Sequence, residues 1–258
     1  YTKALEHYQE FLKIGEELGN MSMMALALRE FSKIYWTQGS YQKALECQQK
    51  RLKLGKEMGD QRIVARCFSD IGRIYYRQGS YSEALERFDE SMTIYKQLGD
   101  KRRIAGCLVN LGSVYQEQHL GVKAMECFQK SITLFEEIGY TRGIAACLTR
   151  IGSIYMIRAS YPEAQDYLRR SLRMFEELGA RREIALCHEN IGSIYVRQSN
   201  NTVQSFYDEA LEHFRKSLKI SEHISNNRGI ISTTSSIGGV LLHLERYPEA
   251  LGYFEKTL

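Results

Sequence analysis

The apolar positions of this chain recur with a helical period, and the pattern then returns as whole blocks every 40 residues. Within residues 101–140, Ile104, Cys107, Leu108, Leu111, Val114 and Tyr115 form one apolar stripe, and Ala124, Phe128, Ile132 and Phe135 form a second. Spacings of three and four put each set on one side of an α-helix, so the block is predicted to be two amphipathic helices. Cutting at the Gly-Asp turns gives units 21–60, 61–100, 101–140 and 141–180, a longer 181–226 and a truncated 227–258, with residues 1–20 as half of a preceding unit.

The second helix of a unit is expected to open with a capping box, as in Ser80-Tyr81-Ser82-Glu83 and Ser160-Tyr161-Pro162-Glu163. It is expected to stop at Gly99 or Gly179, where glycine takes the left-handed turn. The only two prolines, Pro162 and Pro248, fall in the first turn of such a helix, where a missing N–H costs little.

One string repeats almost unchanged: NLGSVY at 110–115, RIGSIY at 150–155 and NIGSIY at 190–195. A phosphate loop needs several glycines between a strand and a helix, and a serine nucleophile needs a base and a sharp elbow. These glycines sit inside a helical apolar pattern, which suits neither. A mid-helix glycine costs about 0.5–1 kcal/mol relative to alanine, so Gly72, Gly112, Gly152, Gly192 and Gly238 are read as points of close helix approach.

These residues carry a resemblance to the tetratricopeptide repeat family. The signature appears as Phe68, Ile71, Gly72, Tyr75, Ala84 and Phe88, again as Leu111, Gly112, Tyr115, Ala124 and Phe128, and again as Ile191, Gly192, Tyr195, Ala210 and Phe214. The small position after it is Ser91, Ser131, Ser171 or Ser217. Unit one departs with Ser32 for the glycine and Gln48 for the Phe, and unit six with Leu241 for the Tyr. The period exceeds the usual roughly 34 residues, as in Pins-type adaptors, kinesin light chains, Rap regulators and the arrays that precede CHAT-type peptidase domains. The resemblance implies an all-α, right-handed superhelical solenoid of antiparallel helix pairs over residues 1–258, with first helices lining a concave face. Units of this kind bury their apolar faces only against neighbours, so the apolar ends of the array are read as cuts from a longer protein and as a route to self-association.

Composition narrows the function. A net charge of +4, scattered along the chain, lacks the concentrated basic stripe that nucleic acid requires. No stretch reaches the roughly 18 apolar residues of a membrane helix. Cys67, Cys107, Cys147 and Cys187 are one repeat position seen four times. Stacked helices lie about 8–10 Å apart, too far for the Cα separation of a disulfide, and buried thiols suit a reducing, cytoplasmic setting. The Asn-x-Ser/Thr triplets at Asn20 and Asn200 are discounted as chance. His7, His119, His188, His213, His223 and His243 lack metal-ligand spacing. His188 takes a position filled elsewhere by Phe68 or Leu148 and is read as a packed core residue. No catalytic set, cofactor or metal is implied, and Glu137 and Glu177 are read as solvated. Arg62, Arg102, Arg142, Arg182 and Arg228 directly follow the turns and are expected to pair with carboxylates across units.

What remains is the first-helix stripe that turns away from the packed side. Two before the repeat glycine it reads Glu30, Asp70, Asn110, Arg150, Asn190 and Ser236, polar throughout yet changing. Around that column lie Arg29, Lys33 and Trp36, then Arg66, Arg73, Tyr76 and Arg77, then Ser113, Gln116 and Glu117, then Ser153 and Met156, and finally Ser193 and Arg197. The resemblance implies that this stripe lines a peptide-binding groove. Asn110 and Asn190 can each donate to and accept from a peptide backbone, and Arg150 can fork onto a carboxylate. The cationic excess in units one and two points to a partly acidic ligand, with Trp36 either an anchor beside it or packed on a neighbouring helix. The segment 199–206 is expected to be a longer loop. Three uses stay open: an adaptor binding a peptide or helical segment of a partner, a regulatory array attached to an enzymatic domain, and a self-assembling scaffold.

Overall fold

The computed structural model describes residues 2–199 and 204–255, and among these every regular element is an α-helix. In chain order they are α1 (Thr2–Glu17), α2 (Met21–Thr37), α3 (Tyr41–Glu57), α4 (Gln61–Gln78), α5 (Tyr81–Gln97), α6 (Lys101–Glu117), α7 (Gly121–Glu137), α8 (Thr141–Ile157), α9 (Tyr161–Glu177), α10 (Arg181–Gln198), α11 (Gln204–His223), α12 (Asn227–His243) and α13 (Tyr247–Glu255). Successive helices follow one another through short turns. The chain forms two compact units that part between Leu134 and Phe135.

In each unit, successive helices pack on one another, and the repeat glycines are where they meet most closely. A Cβ added to Gly72 would stand 2.8 Å from the Phe88 ring, one added to Gly112 2.7 Å from Phe128, and one added to Gly192 2.8 Å from Phe214. No side chain fits there, so the glycine is the form of the residue that lets the second helix lay its ring on the first. The small residue one turn further along ties the same two helices by a buried hydrogen bond. Ser91 Oγ donates to the Ala65 carbonyl at 2.8 Å, Ser131 to Ala105 at 3.0 Å and Ser171 to Ala145 at 2.8 Å. The cysteine column closes the same junctions from the next pair, with Cys107 Sγ 3.5 Å from Ser91 Oγ. All four of these cysteines are buried free thiols, and burial pushes Cys67 up to about 11.

The helix starts differ from expectation. Ser80 and Ser160 form no side-chain capping hydrogen bond, so the capping boxes are not made. The side-chain caps stand instead at first helices: Asp60 accepts from the Arg62 and Ile63 amides, Asp100 from Arg103 and Asn20 from Met23. Aspartate there also complements the positive end of the helix. At the other end Gly99 and Gly179 take φ of +66° and +60° as expected, whereas His119 and Ala159 enter the same left-handed region without being glycine.

The longer loop is also smaller than expected. Ser199 caps α10 and is buried, Gln204–Phe206 already belong to α11, and residues 200–203, with the Asn200 triplet, lie outside the described residues. The extra turn of α11 is held by aromatic packing: Phe206 lies 6.3 Å from Tyr195, and Tyr207 stacks on His243 at 5.6 Å.

Candidate functional site

Unit one departs from the repeat at two neighbouring core positions, and the consequences converge on a cleft. Where later repeats carry Phe88 or Phe128, α3 carries Gln48, and where they carry Ser91 or Ser131 it carries Arg51. Gln48 and Arg51 are both buried, at 2% and 3% exposure. A buried guanidinium demands partners. It finds Gln48 Oε1 at 3.4 Å and the Asp70 carboxylate on α4 at 3.7 Å, while its Nε has no hydrogen-bond partner among the described residues.

Above this polar patch α2, α4 and α6 enclose a cleft of about 480 Å³ lined by Arg29, Lys33, Trp36, Arg66, Asp70, Arg73 and Arg103. Its polar groups fall into two bound sets and one unbound set. Arg29 and Lys33 both donate to Glu30, at 2.7 and 2.9 Å. Burial pushes the Glu30 carboxyl up, but hydrogen bonds from Lys33 and Arg29 overcome it and leave it below its usual value. Arg73 and Arg51 flank Asp70, each at 3.7 Å. Burial pushes Asp70 up, which Arg73, Arg51, Arg66 and Arg103 offset only in part. The Arg66 and Arg103 side chains form no ion pair among the described residues and aim at the same cleft.

Trp36 packs on a neighbouring helix, one of the two roles left open by its sequence. It packs edge-on to Tyr41 at 5.6 Å, it carries the Arg73 guanidinium over its face at 5.4 Å, and it remains half-buried on the cleft wall. Such a stack fixes a flexible arginine in one orientation.

The other residues of the stripe are placed as follows. Tyr76 donates to Glu117 Oε1 at 3.3 Å, linking α4 to α6, and Arg77 lies exposed beside it. Asn110 is half-buried on α6, Arg150 exposed on α8 and Asn190 half-buried on α10. Ser113, Ser153 and Ser193 turn their hydroxyls onto their own helices, donating to the Val109, Thr149 and Glu189 carbonyls at 2.8, 3.1 and 2.9 Å. Their protons are therefore engaged, leaving lone pairs as what they offer. Of the arginines after the turns, Arg142 pairs with Glu183 at 3.1 Å across successive repeats. Arg62, Arg182 and Arg228 make no ion pair among the described residues, so these three do not pair across units as expected.

Gln48 and Arg51 were missed because the stripe followed first helices and surfaces only, and Arg103 because it stands near the start of α6, outside that stripe. The signal was present: within one turn of each other, Gln48 and Arg51 stand where the following units carry Phe88, Phe128 and Leu168 and the serines Ser91, Ser131 and Ser171. His188 is packed as expected, at 9% exposure, but it has a specific partner: its Nδ1 lies 3.0 Å from His213 Nδ1.

Comparison with known proteins bears on the fold. The profile described as tetratricopeptide repeat matches residues 23–97, 103–177 and 201–258. No curated protein matches the chain. Among solved structures it resembles BtubC from P. vanneervenii, at 14% identity and a TM-score of 0.71, covering 87% of this chain and 92% of that one. It also resembles a Rap protein complexed with Competence and Sporulation Factor, at 12% identity and a TM-score of 0.72, covering 98% of this chain and 84% of that one. A third is a signal transduction ATPase with numerous domains and a tetratricopeptide repeat sensor, from Pyrococcus horikoshii, at 14% identity and a TM-score of 0.74. There 98% of this chain is matched but only 39% of that one. No helix among the described residues is long and apolar enough to cross a membrane.

Proposed function

The chain belongs to the tetratricopeptide repeat family, and from that premise we propose that it is a non-catalytic, cytoplasmic interaction module that binds an extended or helical segment of a partner protein along its first helices. The observation that carries this reading is the cleft between α2, α4 and α6. Arg66 and Arg103 converge there without an ion pair, beside an arginine fixed on Trp36. Arg66 is half-buried and Arg103 exposed, and a carboxylate that met both would accept charge-assisted hydrogen bonds from two converging guanidinium groups. The partner segment is therefore acidic where it crosses this cleft. Asn110 in the first compact unit, and Arg150 and Asn190 in the second, each offer amide or guanidinium contacts to the backbone and side chains of a bound segment.

The test is a titration of the chain with fluorescent peptides that differ only in having Glu or Gln at successive positions. Glu-containing peptides should bind, and the Arg66→Gln/Arg103→Gln variant should lose at least about tenfold in affinity. The Asn110→Ala/Arg150→Glu/Asn190→Ala variant should weaken all peptides alike. Equal binding of Glu and Gln peptides would remove the assignment.

A second reading is favoured by the likeness to the sensor-bearing ATPase of Pyrococcus horikoshii, of which this chain spans 39%. In that reading the acidic segment belongs to an enzymatic domain on the same polypeptide, and the array regulates it.

A further inference from the structure

A second hollow lies at the α11–α12 junction, away from the cationic cleft, and it exists because a ring is missing. At the equivalent position of three earlier junctions, five residues before the first-helix N-cap, the chain buries Tyr95, Phe135 or Phe175, whereas the first two junctions carry Gly15 and Gly55 there, covered by Met23 and Ile63. At the junction between α7 and α8 the arrangement is complete: Phe135 packs on Tyr140 at 5.2 Å, and Gly143 makes room for both rings, since a Cβ there would stand 2.6 Å from each. The α11–α12 junction keeps the glycine, as Gly229, but replaces Phe135 by Ser221 and Tyr140 by Asn226.

A hollow of about 450 Å³ opens beside these residues, lined by Arg182, Glu183, Glu189, Ser221, Asn226 and Arg228, with Ala185 and Leu186 as its apolar wall. Ser221 Oγ faces it with 1% exposure and has no hydrogen-bond partner among the described residues. A buried hydroxyl left unpaired costs about 1–3 kcal/mol, in contrast to the repeat serines Ser91, Ser131, Ser171 and Ser217, which are all bonded. The N-terminal end of α12 opens onto the same space. Its N-cap residue, Asn226, forms no side-chain capping bond, so the first amides of α12 have no side-chain acceptor. The carboxylates nearby are already engaged: Glu183 with Arg142 at 3.1 Å, and Glu189 with the Ser232 hydroxyl. Arg182 and Arg228 make no ion pair among the described residues.

We infer that the hollow binds a small aryl oxyanion, a ring bearing a carboxylate or a phosphoryl group. The ring takes the volume vacated by the missing Phe and lies against Ala185 and Leu186. The oxyanion accepts from Ser221 Oγ and the α12 amides, with Arg228 and Arg182 neutralising it.

The experiment follows the backbone amide resonances of the intact chain during titration with phenyl phosphate, benzoate and benzyl alcohol at millimolar concentrations. Saturable shifts at residues 227–229 are expected with at least one anion and not with the neutral alcohol, and the two anions distinguish a phosphoryl from a carboxylate ligand. Ser221→Phe installs the ring found at the junctions of Tyr95, Phe135 and Phe175. It should abolish the shifts without lowering the thermal midpoint. Arg182 and Arg228 are exposed, so the Arg182→Gln/Arg228→Gln variant retains the fold whatever Ser221→Phe does. It should weaken binding at least about tenfold. The site is refuted if neither anion produces saturable shifts, if benzyl alcohol produces the same ones, or if the double glutamine variant binds as tightly as the parent.

Discussion

Arg51 of α3 lies 3.7 Å from Asp70 of α4, and it does so at a repeat position where the later units bury a small serine that bonds the neighbouring helix. The pair converts a helix-to-helix tie into the floor of the cationic cleft.

Because Arg51 is buried at 3% exposure, removing its carboxylate partner leaves a charge without compensation. Asp70 keeps 28% of its side chain exposed, so the full penalty of a buried pair is discounted. Asp70→Ala is expected to cost about 1–3 kcal/mol in urea unfolding. The Gln48→Phe/Arg51→Ser/Asp70→Asn variant, which restores the pattern of the other units, is expected to recover most of that loss. A triple variant no more stable than Asp70→Ala would show that the polar floor contributes more than the ring it replaces.

Two glycines on α6 separate packing from propensity. A Cβ at Gly112 meets the Phe128 ring at 2.7 Å, whereas one at Gly106 meets nothing within 4 Å. Gly112→Ala should therefore destabilise by about 1–3 kcal/mol through overpacking. Gly106→Ala should stabilise by about 0.5–1 kcal/mol through helix propensity. Thermal unfolding of both, in the same buffer, checks the pair of signs.

Ala159 holds a φ of +57° where Gly39 and Gly79 serve at the matching turns of other units. An alanine in the left-handed region costs about 1–2 kcal/mol relative to glycine. Ala159→Gly is expected to raise stability by about 1 kcal/mol, less the entropy that glycine adds to the unfolded chain.

The His188–His213 pair makes stability depend on pH. One Nδ1–H donates to the other Nδ1 across 3.0 Å, and a second proton would set two donors face to face. Burial, then His213 and Lys216, lower His188 to about 4, against a pull upward from Glu212. Burial and Lys216 lower His213 as well, with Glu212 and Glu209 opposing and Arg169 assisting. Both groups bind protons more readily in the unfolded chain, whose imidazoles titrate near about 6.5. The neutral pair thus contributes fully above that pH, and its contribution is lost as pH falls from about 6.5 toward 4. The loss should amount to about 1–3 kcal/mol. His188→Phe, the residue found at Phe68, should flatten the slope of stability against pH in that window, as read from urea midpoints between pH 4 and 7 relative to the parent.

Much of this molecule was legible in the sequence because the repeat makes local and tertiary patterns agree. The apolar stripes, the glycines at 72, 112 and 192 and the serines at 91, 131 and 171 recur at one step, and a residue that recurs in register packs the same way each time. That is why the helix pairs, their order and the repeat glycines as points of close approach follow from spacing alone. What spacing could not decide is what happens where the register is broken. Ser80 and Glu83 have the composition of a capping box, yet the cap is not made, because hydrogen-bond geometry at a helix start depends on backbone angles that composition does not set. Gln48 and Arg51 look like surface residues until the fold buries them against Asp70. Ser221 looks like one more polar residue until the neighbouring helices leave its hydroxyl in a hollow shaped for a ring. Periodic residues report the architecture by themselves. Exceptions acquire meaning only from the neighbours that the tertiary structure brings to them, since the cost of a buried charge or an empty volume is set by what lies across the gap.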